Sequence, residues 1–281
     1  MKLLEALDSP IWIDKTMNFG VQIENHAGYD YQSILDTTQE AERLGFKGLF
    51  ICDHLIGRTE EFARQPCLDP WVTLAALASQ TRSIGLGTLV TAVGFRNPSV
   101  VAKMAATLDV ISNGRLNLSL GAGWYEPEYK SYGIPFPPLR QRVQQLREAI
   151  QIVRLMWTQD KPSYKGRAFE IDGAWCYPKP LQNPSPKIWF GGTGEKRVLR
   201  VVAELADGRN ATGTSPEEYL RKLELLRTYC EESQRRIDEI ELSYYDSCVM
   251  GRNQEEFETR FKKYYGRFKR SDETIEGFLE E

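Results

Sequence analysis

Histidine is scarce in this chain: of 281 residues only His26 and His54 are histidines. The five cysteines, at 52, 67, 176, 230 and 248, form no CxxC pair, and an odd number cannot close a complete set of intramolecular disulfides. With no HExxH and no clustered Cys/His ligands, metal-assisted hydrolysis has no ligand set to rest on, and without GxSxG the serine-nucleophile class lacks its turn. Two Gly-rich segments stop short of GxGxxG because Glu126 and Arg197 stand where the third glycine belongs, and GxxxxGK[ST] does not occur. Rossmann and P-loop readings therefore fail. No apolar run approaches membrane-spanning length, and acidic residues break the short apolar stretch of MKLLEALDSPIWIDK, which lacks the continuous apolar core of a signal peptide. A net charge of -3, with basic residues spread through helical stretches, leaves no footprint for nucleic acid. These absences lead to the expectation of a cytoplasmic protein with reduced thiols that acts on small molecules, with no metal, no nucleic acid and no membrane partner.

The composition, 41% hydrophobic and 27% charged, is that of an ordinary globular protein. Strand-like and helix-like patterns alternate along it. MNFGVQIE (17–24) precedes the helical YQSILDTTQEAERLG, stopped by Gly45, and KGLFIC (47–52) follows. Asp69-Pro70 and Asn97-Pro98 each pair an N-cap with a first-turn proline, before helices over 69–80 and to about Ser112. SIGLGTLVT (83–91) and RLNLSLG (115–121) are strand candidates, and Leu139, Val143, Leu146, Ile150, Val153 and Trp157 mark an amphipathic helix. Residues 158–186, with five prolines, two glycines and several aromatics, break the rhythm and read as an insertion after the fourth helix. The alternation resumes with KIWFGG (187–192), a helix from about Glu195 to Ala206, GRNATG (208–213), a helix starting at Ser215-Pro216, IELSYYDSCVM (240–250) and a last helix around Gln254 to Tyr265. No linker composition divides the chain, so a single domain over 1–281 is expected.

Strands separated by helices argue for a parallel α/β sheet, and seven such units favour a (β/α)8 TIM barrel over an open sheet. After Ser271 only DETIEGFLEE remains, too little for an eighth βα unit. Either the barrel is open, leaving an unpaired edge, or the gene product is truncated, which is the reading adopted.

In a barrel the C-terminal ends of strands form the active face. His26 follows the first strand and Asp53-His54 the second. Adjacent residues at a strand end point in different directions, so Asp53 need not bond the imidazole. On placement alone, proton transfer and plain loop packing are balanced for His54, and packing is favoured for His26. LGAGWYEPEY (120–129) ends the fourth strand with side-chain-free positions, either a tight turn or an approach for a planar or anionic ligand. Trp124, Tyr125 and Tyr129 form an aromatic wall beside it or simply pack. FGGTGEKRV (190–198) joins a Gly-rich loop to a helix start and the cations Lys196 and Arg197, and a phosphate site is preferred there to a structural turn.

Taken in order, ICDHL, LGTLVTAVGFRNP, DVISNGRLNLSLGAGWYEPEYKSYGIPFPP, IWFGGTGEKR and AELADG resemble the luciferase-like monooxygenase superfamily, from about Met17 to Met250. NGRLNLSLGAGW followed by YGIPFPPLRQR resembles its branch of deazaflavin oxidoreductases that use coenzyme F420. The resemblance implies a barrel with the cofactor across its mouth and a homodimer. It makes His54 the catalytic acid/base, and Asp53 a cofactor-pocket neighbour. Thr88-Leu89 matches a non-prolyl cis peptide under the ring, Thr91, Ala122 and Gly123 match ring contacts, and Gly191, Gly192, Thr193 and Gly194 match the phosphate loop. Where some deazaflavin sugar-phosphate dehydrogenases carry a carboxylate after Gly-x-Gly, this chain has Trp124. The departure favours an apolar or conjugated substrate and leaves the second acid/base role without a residue. The implied activity is hydride transfer between F420 and a small organic substrate. The alternatives are an FMN-dependent monooxygenase and a non-catalytic barrel subunit.

Overall fold

A computed structural model of the chain describes residues 17–192 and 194–268, with side chains to residue 263. Its contacts separate a unit ending at Tyr244 from one starting at Tyr245. In the first, β1 (Gly20–Ile23), β2 (Gly48–Ile51) and β3 (Gly85–Thr88) run parallel, and Ile23, Ile51 and Thr88 are in register. A two-residue β4 (Thr91–Ala92) pairs with β5 (Leu116–Gly121), and the sheet continues through β8 (Ile188–Gly191) and β9 (Gly208–Thr212) to β10 (Glu241–Tyr245). The order β1-β2-β3-β5-β8-β9-β10 gives a parallel, barrel-like sheet with seven principal strands among the described residues. The segment after Ser271, on which the expectation of a lacking eighth unit rests, lies outside the described residues.

Each crossover is a helix whose ends the sequence specifies. Asp30 caps α1 (Tyr31–Arg43) by accepting from Ser33 N at 2.8 Å, and Gly45 follows it with a positive φ. The next two helices are α2 (Glu60–Ala63) and α3 (Pro70–Gln80), the latter capped by Asp69 on Val72 N at 2.9 Å. Asn97 caps α4 (Pro98–Ile111) on Ser99 N at 3.0 Å. A short α5 (Glu126–Ser131) precedes the amphipathic α6 (Leu139–Thr158), and the insertion that follows forms an antiparallel hairpin of β6 (Tyr164–Lys165) and β7 (Glu170–Ile171). The remaining crossovers are α7 (Val198–Leu205) and α8 (Pro216–Glu232).

Period-two alternation places the core between sheet and helices. Leu49, Ile51, Leu86, Leu118, Leu120, Ile188 and Phe190 are all at most 1% exposed and share a cluster with Leu74, Leu77, Ala102, Ala105, Ile150, Val153, Leu199 and Val202 from the helices. Burying each such side chain contributes on the order of 1.5–3 kcal/mol. Intervening strand positions, Gln22, Phe50, Asn117, Ser119, Trp189 and Asn210, face the other way. At the N-terminal ends of the strands, the buried Asp109 and the half-buried Glu42 and Arg115 tie loops to helix ends. Glu42 accepts from the backbone N–H of Arg82, Ser83 and Ile84 at 2.6–3.0 Å. Asp109 accepts from Leu116, Leu181 and Gln182 N–H at 2.7–3.3 Å. Arg115 donates to the carbonyls of Ala78, Thr81, Ile84 and Ser112.

Three boundaries differ from the sequence expectations. The continuous strand over 83–91 is broken between β3 and β4, where the non-prolyl cis bond lies at Leu89-Val90 rather than Thr88-Leu89. The helix expected from Glu195 starts at Val198, because the Glu195 carboxylate takes a bidentate bond from Arg221 and the turn before Val198 is not helical. The two short helices α2 and α5 carry too few residues for a periodic signal. In the second unit, α9 (Gln254–Phe268) opens with Asn253 Oδ1 accepting from Glu256 N at 2.9 Å, and Glu256 pairs with Arg252 and Arg260 along one face.

Candidate active site

Because β1, β2, β3, β5 and β8 are sheet neighbours and parallel, the segments leaving their C-terminal ends lie side by side. These are Asn25–Ala27, Asp53-His54, Leu89-Val90, Ala122–Gly123 and Gly192. The structure thus brings together most of the residues picked from sequence. Thr193 lies outside the described residues.

His54 is held from several sides. Its Nδ1 is 3.0 Å from Glu128 Oε2, its carbonyl accepts from Asn25 Nδ2 at 2.9 Å, and its ring meets His26 edge-on at 4.6 Å between centroids. Glu128 is 1% exposed, and its other oxygen accepts from the backbone N–H of Leu55 and Ile56. A carboxylate is an acceptor, so the ring nitrogen facing it carries the proton, and Nε2 is left without a protein partner as the acceptor of the neutral ring. Glu128 is not the second acid/base whose place Trp124 occupies: its oxygens are taken by the His54 ring and two backbone N–H groups. It stands four residues further on, buried by the short helix α5 against the β2 loop. Nothing local marks it in the sequence, since its partner is 74 residues away.

Asp53 turns from His54, as alternation requires. Its Oδ2 takes a bond from Arg96 Nη1 at 2.7 Å, Arg96 Nη2 reaches Asp69 at 2.8 Å, and Asp53 Oδ1 is buried with no protein donor. Burial pushes the Asp53 carboxyl up to about 6, with the Arg96 guanidinium pulling the other way. His26 is 4% exposed, both its ring nitrogens lack hydrogen bonds, and burial, then the neighbouring His54 and Arg58, depress it to about 3. It is a neutral imidazole at physiological pH. His26 packs against the His54 ring without a hydrogen bond of its own, in line with the packing that its place in the sequence favoured.

Thr88 and Thr91 are sealed below the surface, their hydroxyls 2.7 Å apart. The bond closes the turn that carries Leu89 and Val90. Val90 lies across the ends of two neighbouring strands: a Cβ on Gly121 would come within 2.5 Å of one of its methyls, and a Cβ on Gly191 within 2.5 Å of the other. Only glycine at both positions admits this floor. Gly123, at φ 77°, likewise has no space for a side chain because the Tyr129 hydroxyl lies where its Cβ would be. The aromatic wall divides in two. Tyr129 is buried between Phe95 and Phe136, with ring centroids 4.6 and 4.9 Å away, whereas Trp124, 62% exposed, and Tyr125 face the mouth 6.0 and 6.4 Å from the His54 ring. Lys196 and Arg197 are exposed beside the Gly192 turn.

A flat polar ring suits this mouth: a methyl-surfaced floor over glycines, a buried acceptor at Asp53 Oδ1, and a Gly-rich turn with adjacent cations for a phosphate. Residues 17–281 match the family model described as luciferase-like monooxygenase. The chain belongs to that family. It is 33% identical over 192 residues to the F420-dependent glucose-6-phosphate dehydrogenase of Microbacterium testaceum (strain StLB037), covering 68% of this chain and 55% of that one. It is 32% identical over 182 residues to an uncharacterized protein of Mycobacterium tuberculosis (strain ATCC 25618 / H37Rv), covering 60% and 63%. The chain therefore spans roughly half to two-thirds of these curated relatives. In fold it is similar to an F420-dependent secondary alcohol dehydrogenase solved with an F420-acetone adduct, with TM-score 0.74, 23% identity and coverage of 82% and 68%. It is also similar to the EDTA monooxygenase EmoA from Chelativorans sp. BNC1, with TM-score 0.77, 16% identity and coverage of 90% and 69%.

Proposed function

We propose that this family member is an oxidoreductase that works with coenzyme F420 on a small organic substrate, and that His54 handles the proton. The observation that carries the reading is the His54–Glu128 pair at the mouth, beside the Val90 floor. The F420-dependent names of relatives sharing 31–33% identity favour the deazaflavin over FMN. Gly191, Gly192 and Gly194, with Lys196 or Arg197, would hold its phosphate, and Asp53, Ala122, Gly123 and the turn stapled by Thr88 and Thr91 would line its ring. When bound, the deazaflavin accepts or supplies the hydride.

The chain's own contribution is position and proton transfer. Glu128 keeps the His54 Nδ1 protonated and turned inward, so Nε2 presents its lone pair to the substrate hydroxyl when that group is oxidised. In the reverse direction the imidazolium returns the proton to the substrate oxygen. Such a positioned base contributes typically 10²–10⁴-fold to rate. The test is to titrate the apo-protein separately with F420 and FMN, following fluorescence. Saturable F420 binding that Asp53→Ala weakens is expected. Tight FMN binding with none for F420 overturns the reading in favour of a flavin monooxygenase, and binding of neither supports a non-catalytic subunit.

A further inference from the structure

The charged groups near His54 differ in how they are partnered. Arg96 is held by Asp53 and Asp69, and Glu128 by His54 and two backbone N–H groups. His26 is neutral. Arg58, in the loop between β2 and α2, pairs with no carboxylate among the described residues, yet it is not a loosely placed surface cation. Its carbonyl accepts from Tyr125 Oη at 3.0 Å, and its guanidinium lies 5.9 Å from the centre of the Trp124 ring. The Trp124 ring in turn lies 6.0 Å from the His54 ring, which puts the guanidinium beside the mouth.

We propose that Arg58 seats a carboxylate of the substrate, with the substrate's flat, conjugated part against Trp124 and Tyr125 and its reacting end toward His54. The proposal rests on the reading of this mouth as the active site, and extends it to a substrate class, an aromatic or conjugated monocarboxylic acid. A guanidinium and a carboxylate match as planar, two-point partners. The exposed indole gives an apolar face that an alkyl acid such as acetate would leave uncovered.

Isothermal titration of the full chain, alone and saturated with cofactor, with benzoate, benzamide, acetate and inorganic phosphate tests this directly. Benzoate should bind roughly tenfold or more tightly than benzamide, its neutral isostere, and more tightly than acetate or phosphate. Arg58→Ala should remove that tenfold preference and Arg58→Lys restore part of it; the exposed position makes loss of folding a minor concern, checked by an unchanged thermal midpoint. Equal binding of benzoate and benzamide, or benzoate affinity indifferent to Arg58→Ala, overturns the carboxylate seat, as does no benzoate binding in either state. Tighter phosphate than benzoate binding that depends on Arg58 overturns the monocarboxylate assignment in favour of a phosphoryl substrate. F420 affinity, measured in parallel, separates the two readings. Arg58-dependent benzoate binding without F420 binding leaves the seat standing and the proposed activity fallen, and the converse result does the opposite.

Discussion

The two ends of the parallel sheet treat their inward polar groups in opposite ways. At the N-terminal end, Glu42, Asp109 and Arg115 spend their oxygens and N–H groups on backbone and side-chain partners. At the C-terminal end, Gln22 Oε1, Asn25 Oδ1, both nitrogens of His26, Asp53 Oδ1 and the Tyr129 hydroxyl are buried without a hydrogen bond. An unmade bond at a buried polar atom costs about 1–3 kcal/mol, so one end stabilises the fold and the other holds unsatisfied groups where a ligand can meet them. The same strands thus carry a satisfied end and an unsatisfied end, and the proposed site lies at the second.

Five substitutions sharpen or break that contrast. His54→Asn should lower kcat/KM by roughly 10²–10⁴-fold while F420 affinity moves less than about threefold, because the lost group transfers a proton and does not hold the ring. A comparable loss of cofactor binding would make His54 a packing residue. Asp109→Ala leaves three backbone N–H groups near the base of β5 without their acceptor, and should cost about 3 kcal/mol in urea denaturation with kcat preserved below the transition. A kcat loss matching that of His54→Asn would erase the distinction between the ends. Glu128→Gln should reduce kcat about 10- to 100-fold with KM and F420 affinity nearly unchanged, since the amide frees the tautomer and orientation of His54 without removing it. An effect on KM alone would place Glu128 in substrate binding.

The two pH tests are smaller and opposite in sign. The Asp53 carboxyl titrates near 6 in the fold against an ordinary 3.8, so the folded chain holds that proton more tightly. The stabilisation is complete below about pH 4 and is lost as pH rises through about 6. The thermal stability of wild type relative to Asp53→Asn should therefore fall between those values. Glu42 is the reverse: burial raises it, but N–H bonds from Ser83, Ile84 and Arg82 outweigh burial and hold it at about 2 against an ordinary 4.5. Its contribution is present above about pH 4.5 and lost as pH falls through about 2, so Glu42→Gln should flatten the acid limb of a melting-temperature profile. Parallel slopes for the two pairs would contradict the contrast between the ends.

The satisfied end was easier to read from sequence than the unsatisfied end, because its signals are local. Asp69-Pro70 and Asn97-Pro98 are caps and first turns within four residues, Gly45 stops its helix, and the spacing from Leu139 to Trp157 repeats on one face. His54 was found through its place after a strand. Its partner Glu128, the Arg96 that holds Asp53, and Arg58 under Tyr125 join segments 43 to 74 residues apart, and no periodicity records such meetings. The extended helix start at Glu195 was a local error of another kind: the residue looks like a first-turn acid, yet its charge serves Arg221 on another helix. The cis peptide that the family resemblance put at Thr88-Leu89 lies one residue later, at Leu89-Val90, and the smooth alternation of LGTLVT gives no sign of the break.

Val90 and its two glycines also determine how this mouth can change. A methyl added at Gly121 or Gly191 strikes a different branch of the same side chain, so any enlargement at either strand end must be matched by a reduction at Val90. Single substitutions there meet a barrier that paired ones avoid. Gly121→Ala with Val90→Ala is a reachable variant, whereas each glycine substitution alone is not. Stepwise change has one open order, a smaller residue at position 90 first and a larger one at either glycine after it.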